Sequence, residues 1–161
     1  VEPARFRRWI VFHEVAHAAE FGAAPWLPEY LAERMRRVLE AVAAGTRPRR
    51  DLRELDLAMT AVEGYAELLM DEAFDGPTVS LRSALDERRA RSGPIAGLLA
   101  RLFGLDRKRD QYERGRAFFA AITDQRGLSG ANLVWERPEN LPREGEIDDP
   151  DRWLQRVGPA E

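Results

Sequence analysis

Glycine and proline divide this chain into segments, and inside the segments the apolar residues recur at helical spacing. No β-branched alternation persists beyond a few residues, and no repeat recurs at a fixed period. Asn132 to Trp135 alone passes for a strand. The pattern predicts an all-α, multi-helix fold.

The punctuation sets the expected elements. Pro3 suits a first helical turn, and the apolar pattern from it runs to Phe21, with Gly22 as the stop. Pro25 and Pro28 mark a turn, after which Glu29 to Ala44 reads as an amphipathic helix closed by Gly45. Asp51 is a good N-cap for a long helix from Leu52 to Phe74. Asp75-Gly76-Pro77 breaks the pattern. Thr78 or Ser80 then opens a charged helix to Arg91, and after Ser92-Gly93-Pro94 a short apolar helix, expected in the core, ends at Gly104. Asp106 to Arg126 reads as one more helix, stopped by Gly127. Phe118, Phe119 and Ile122 look like core packing. Pro138, Pro142, Pro150 and Pro159 predict a tail that wraps the surface, with a short helix from Asp151 to Val157.

Composition narrows the function. A chain of 161 residues, 44% hydrophobic and 33% charged, buries a core without staples, so residues 1–161 are expected to form a single domain. It has no cysteine, which excludes disulfide scaffolds, thiol nucleophiles, thiolate zinc sites and iron–sulfur clusters. The net charge of -3, with arginines interleaved among acids, gives no expectation of nucleic-acid binding. No apolar run approaches the ~20 residues of a membrane span, so no membrane partner and a cytoplasmic location are expected. The opening Val-Glu-Pro-Ala-Arg has neither an initiator Met nor a signal-peptide core, as a processed product or an excerpt of a longer protein would.

The two histidines carry most of the chemistry. They fall in one predicted helix as His13-Glu14-Val15-Ala16-His17. A spacing of four puts both imidazoles on one helix face, roughly 40° apart, with Glu14 in the same sector. Two histidines four apart with Glu directly after the first is about a one-in-a-thousand coincidence for this composition. The arrangement suits zinc hydrolysis: neutral imidazoles hold Zn2+, and the carboxylate acts as general base toward the water the metal activates. Trp9 to Phe12 and the alanines around the motif make this helix apolar nearly all round, so burial is expected.

A zinc site usually takes three protein ligands. Without another histidine or a cysteine, the third must be Asp or Glu, and the long helix offers Glu63, Glu67 and Asp71. Measured from an apolar face of Leu55, Met59, Val62, Ala66, Leu69 and Ala73, Glu63 lies about 60° away, Glu67 about 100° and Asp71 about 140°. Glu63 is thus the innermost carboxylate. Glu67, one turn on, suits a supporting place, accepting the second ring N–H of a ligand histidine. Asp71 reads as solvated. Gly64 beside Glu63 permits close approach of a neighbouring helix or a substrate.

These residues resemble the zincin metallopeptidases, in the branch that pairs the His-Glu-x-x-His helix with a glutamate ligand from a downstream helix. Glu63-Gly64-Tyr65-Ala66-Glu67 matches the pattern of that second helix. The stretches Val11 to Phe21, Glu63 to Asp71, Gly104-Leu105 with Lys108 to Gly115, and Trp135 to Trp153 are similar to a bacterial zincin-like family of metalloproteases or hydrolases, some named for an association with deazaflavin cofactor biosynthesis. The resemblance implies His13, His17 and Glu63 as zinc ligands and Glu14 as the base. Residues 1–75 would then supply the metal-binding helices, 76–127 supporting helices and 128–161 the tail. Family members often have His where this chain has Tyr65. Zincins usually place a β-sheet before the metal helix, and here that helix starts the chain, so the resemblance covers the C-terminal half of the usual protein.

The expected function is a zinc-dependent metallohydrolase acting on peptide or protein substrates, with the absent N-terminal segment as a partner in cis or in trans. The alternative is a zinc-binding domain without catalysis. Tyr30, Tyr65 and Tyr112 are the candidates for polarising a substrate carbonyl.

Overall fold

Helix α1 (Pro3–Ala23) starts where the Glu2 carboxylate accepts the backbone N–H groups of Ala4 and Arg5, both at 3.0 Å. The computed structural model describes residues 2–73 and 108–158, with side chains from 113 onward in the second stretch. Four further helices follow: α2 (Leu27–Ala43), α3 (Arg49–Ala73), α4 (Lys108–Asn132) and α5 (Pro150–Val157). No strand occurs among the described residues, and the fold is all-α. The helices expected between Thr78 and Gly104 lie outside them. None of the described helices is long and apolar enough to cross a membrane.

Several boundaries differ from the sequence expectation. Helix α1 runs through Gly22, and the N–H of Ala24 closes it on the Glu20 carbonyl. Helix α3 starts at Arg49, leaving Asp51 inside the first turn, where a carboxylate still complements the helix dipole. Gly45 (φ 70) and Gly127 (φ 66) take the left-handed backbone that stops a helix, and Gly127 breaks α4 in two. The strand candidate is the end of α4 followed by a 3-10 turn, Leu133–Trp135, whose Leu133 carbonyl accepts from Asn140 Nδ2 at 2.6 Å. The short tail helix begins at Pro150, capped by Asp149.

Helix α3 is the central element, and α1, α2 and α4 all pack on it. Phe118, Phe119 and Ile122 of α4 are fully buried, as their spacing predicted. Tyr65 meets the ring edges of Phe119 and Trp135, with centroids at 5.2 and 5.4 Å. Its hydroxyl donates to Asn132 Oδ1. The tail does not simply wrap the surface. Val134, Trp135, Leu141, Ile147, Trp153 and Leu154 belong to the main core, packed in one cluster with Ala58, Val62 and Tyr65 of α3 and Phe118, Phe119 and Ile122 of α4. Two indole N–H groups fix it there: Trp153 donates to the Asn140 carbonyl at 2.7 Å, and Trp26 to that of Trp135 at 2.9 Å.

Helix α1 corrects the expectation of burial all round. Among the described residues it packs on one side only, and its buried positions form a single stripe of Trp9, His13, Ala16 and Glu20. Val11 and Val15 are 58% and 61% exposed. Helix α3, by contrast, is buried over most of Ala58 to Met70, so its inner face is wider than the apolar wheel implied. Glu67 is 5% exposed and lies deeper than Glu63, which is half-buried. Hence Glu63 is not the innermost carboxylate of α3.

Candidate metal centre

The buried stripe of α1 faces α3 in antiparallel fashion. Trp9 packs with Met70 near one end, and both histidines meet Glu63 further along. The Trp9 ring stacks on His13 at 5.7 Å with an 18° interplanar angle, which restricts the imidazole. The His17 ring meets His13 edge-on at 4.5 Å, bringing the two Nε2 atoms to 3.1 Å. Glu63 Oε2 lies 3.9 Å from Nε2 of His13 and 3.8 Å from that of His17.

Glu20 fixes the chemistry of this triangle. Its carboxylate, on a side chain only 1% exposed, lies 2.7 Å from His17 Nδ1. Burial lowers the proton affinity of His17. The hydrogen bond to Glu20 and the charges of Glu20, Glu63 and Glu14 outweigh it, and the pKa is raised. Burial likewise pushes Glu20 up to about 7, against the opposing hydrogen bond from His17. With Glu20 as acceptor for Nδ1–H, a neutral His17 would present the lone pair of Nε2 toward His13 and Glu63. Glu63 Oε2 is buried with no hydrogen-bond donor among the described residues. With both imidazoles turned to ligate through Nε2, three acceptors would converge on one point, an arrangement that a cation between them satisfies.

The donor set fits zinc. Two imidazole nitrogens and one carboxylate oxygen are its usual ligands, at 2.0–2.2 Å. The point equidistant from the three atoms lies about 2.1 Å from each. His13 is buried, while His17 and Glu63 are partly exposed, so the cluster opens to solvent on one side.

The structure therefore brings His13, His17 and Glu63 together. Glu14 is exposed on α1 next to His13, and its charge is felt at His17. His17 Nδ1 pairs with Glu20. The sequence reading missed Glu20, although it stands three residues after His17 and seven after His13, on the same helical stripe. Asp71 is exposed and paired with Arg116 at 2.6 Å. Of the tyrosines, Tyr65 spends its hydroxyl on Asn132. Tyr30 lies under the Arg34 guanidinium on α2, and the Tyr112 side chain lies outside the described residues.

A helical scaffold that turns two histidines of a His-Glu-x-x-His segment on α1 and a carboxylate of α3 toward one point has the arrangement of a zincin-type metal site. The chain belongs to the zincin-like metallopeptidase family, which it matches over residues 1–56 and 42–154. It is similar to a crystal structure described as that of a candidate hydrolase with a novel fold, from Chloroflexus aurantiacus, at 32% identity and a TM-score of 0.77. That likeness covers 100% of this chain and 54% of the other, so the chain spans about half the length of this relative. No curated protein matches the chain.

Proposed function

We propose that the chain carries the metal centre of a zinc-dependent hydrolase acting on peptide bonds. The observation that supports this reading is the convergence of His13, His17 and Glu63 within 3.9 Å, with Glu14 in the intervening turn. Zinc held by these residues would activate water at neutral pH and polarise a substrate carbonyl. Glu14, on the solvent side, takes the proton from the attacking water and returns it to the leaving amine. Glu20 holds His17 in the ligating tautomer, and Glu67, buried one turn from Glu63, has a supporting place.

The substrate is a peptide or protein segment. A polypeptide stretch N-terminal to α1, in cis or in trans, would hold it, and the bare Val11–Val15 face of α1 favours such a packing partner. The test is a peptide-library screen with the zinc-loaded chain, alone and with that stretch restored, repeated with Glu14→Gln. Cleavage that falls at least about 10²-fold while zinc occupancy stays constant supports the reading. Zinc binding without cleavage in the restored protein would favour the non-catalytic domain instead.

A further inference from the structure

The side of α3 opposite the metal centre holds a second chemical feature. Glu54 stands nine residues before Glu63, half a revolution around the helix. There α2, α3 and the tail enclose an open cleft of about 600 Å³. Its apolar lining includes Tyr30, Leu57, Ala58, Leu141 and Pro142. Arg34, Arg49, Arg50, Arg53 and Arg143 line it as well, against three glutamates, Glu54, Glu139 and Glu144. That local positive excess stands out on a chain of net charge -3.

We propose that this cleft is a docking site for an acidic peptide segment carrying apolar side chains. Three of the arginines are held in place. Arg34 and Arg50 share the Glu54 carboxylate at 3.1 and 2.9 Å, and Arg53 pairs with Glu144. The Arg34 guanidinium also lies 3.8 Å over the Tyr30 ring, which stiffens it. Arg49 and Arg143 are exposed and have no ion-paired carboxylate among the described residues. Arg49, Arg50 and Arg53 also sit at the start of α3, where the helix dipole adds positive potential. A guanidinium gains most from a carboxylate that it can grip with two N–H groups. Between these cationic points lie apolar surface and fixed glutamates. The glutamates repel a continuous phosphate backbone, and the apolar surface suits alternating acidic and apolar side chains. The charges are exposed, so recognition is salt-sensitive. The site is independent of the metal.

The experiment uses the chain as purified and a fluorescein-labelled peptide of alternating Glu and Leu, with a Lys–Leu peptide as control. Saturable binding in the micromolar range is expected, weakened by added salt and at least tenfold weaker in Arg49→Glu/Arg143→Glu. Stripping zinc with a chelator should change the affinity by less than twofold, which separates the cleft from the metal centre. No binding, equal binding of the Lys–Leu peptide, or tighter binding of single-stranded RNA would overturn the proposal. So would undiminished affinity in a double variant that melts like the native chain. If that variant melts early, an NMR titration of the native chain decides. Shifts confined to Tyr30, Leu57 and Leu141 support the cleft, and shifts centred on His13 and Glu63 refute it. A native dimer abolished by the same variant would assign the cleft to a second copy of the chain, against the proposal.

Discussion

Gly64 and Gly115 touch backbone to backbone where α3 crosses α4. A Cβ on Gly64 would lie 2.4 Å from the carbonyl carbon of Gly115, and one on Gly115 would lie 2.3 Å from the Thr60 carbonyl oxygen. Neither obstacle is a side chain that could swing away. Gly64→Ala and Gly115→Ala should each destabilise the chain by about 1–3 kcal/mol or more in urea unfolding. Gly64→Ala should also weaken zinc retention, because the neighbouring residue is Glu63. Gly22 is the control. It sits in α1 with nothing within 4 Å of a built Cβ, so Gly22→Ala should raise stability by up to about 1 kcal/mol.

Zinc should bind once per chain at His13, His17 and Glu63. Elemental analysis after dialysis is expected to give near-stoichiometric metal for the native chain and for Asp71→Ala, and little for His13→Ala, His17→Ala or Glu63→Ala. Zinc at 100 times its Kd should raise the unfolding free energy by about 2.7 kcal/mol, and a chelator should remove that increment. Asp71→Ala losing zinc while Glu63→Ala keeps it would place the third ligand elsewhere.

Glu20 should tune the site without touching the metal. Replacing it with Ala leaves His17 Nδ1 without its acceptor and frees the ring to change tautomer, an expected loss of about 10- to 100-fold in zinc affinity. Glu20→Gln keeps an accepting oxygen and should fall between native and Ala. Competition against a chromophoric chelator measures all three. Equal affinities would remove Glu20 from the site.

The tail should respond to acid through Glu146. Burial works to raise its carboxyl, but the hydrogen bonds from Arg156 and the Arg143 N–H win and hold it below the ordinary value of 4.5. Arg156 reaches it at 2.7 Å and also donates to the carbonyls of Glu139 and Leu141. A depressed pKa in the folded state means that the stabilisation is complete above pH 4.5 and lost as pH falls through the folded value. Glu146→Gln should therefore cost about 1.5–3 kcal/mol of stability at pH 7, read as a lowered melting temperature. The gap to the native chain should shrink below pH 4.5. A gap that stays constant down to pH 2 would discount the ion pair.

The sequence made legible whatever depends on local chain geometry. The i, i+4 histidines, the Gly45 and Gly127 stops and the tail helix all follow from backbone rules that act within a few residues. Gly64 also told its story, since a helix-interior glycine weakens the helix unless something must come close. Burial was harder to read, because it depends on which neighbour arrives. The apolar surround of α1 predicted a buried helix, yet α3 covers one stripe of it and leaves Val11 and Val15 bare. Glu67 looked peripheral on a wheel drawn from apolar residues alone, and α3 is covered on more sides than that wheel allowed. Glu20 escaped because the His-Glu-x-x-His motif ends at His17 and points to nothing beyond it, although the spacing of Glu20 from both histidines puts it on their stripe.

The lodging of Trp135 against Tyr65 and of Trp153 against Phe118, both at 5.4 Å, bears on how the chain is made. During synthesis α3 and α4 leave the ribosome before either indole does. Until residues 133–154 follow, their aromatic faces stay open to water and to other nascent chains. Native packing of this core can be completed only after translation has passed Trp153. At about 5–20 residues per second, the interval between α3 and that point lasts several seconds. Chaperone demand should concentrate in that interval.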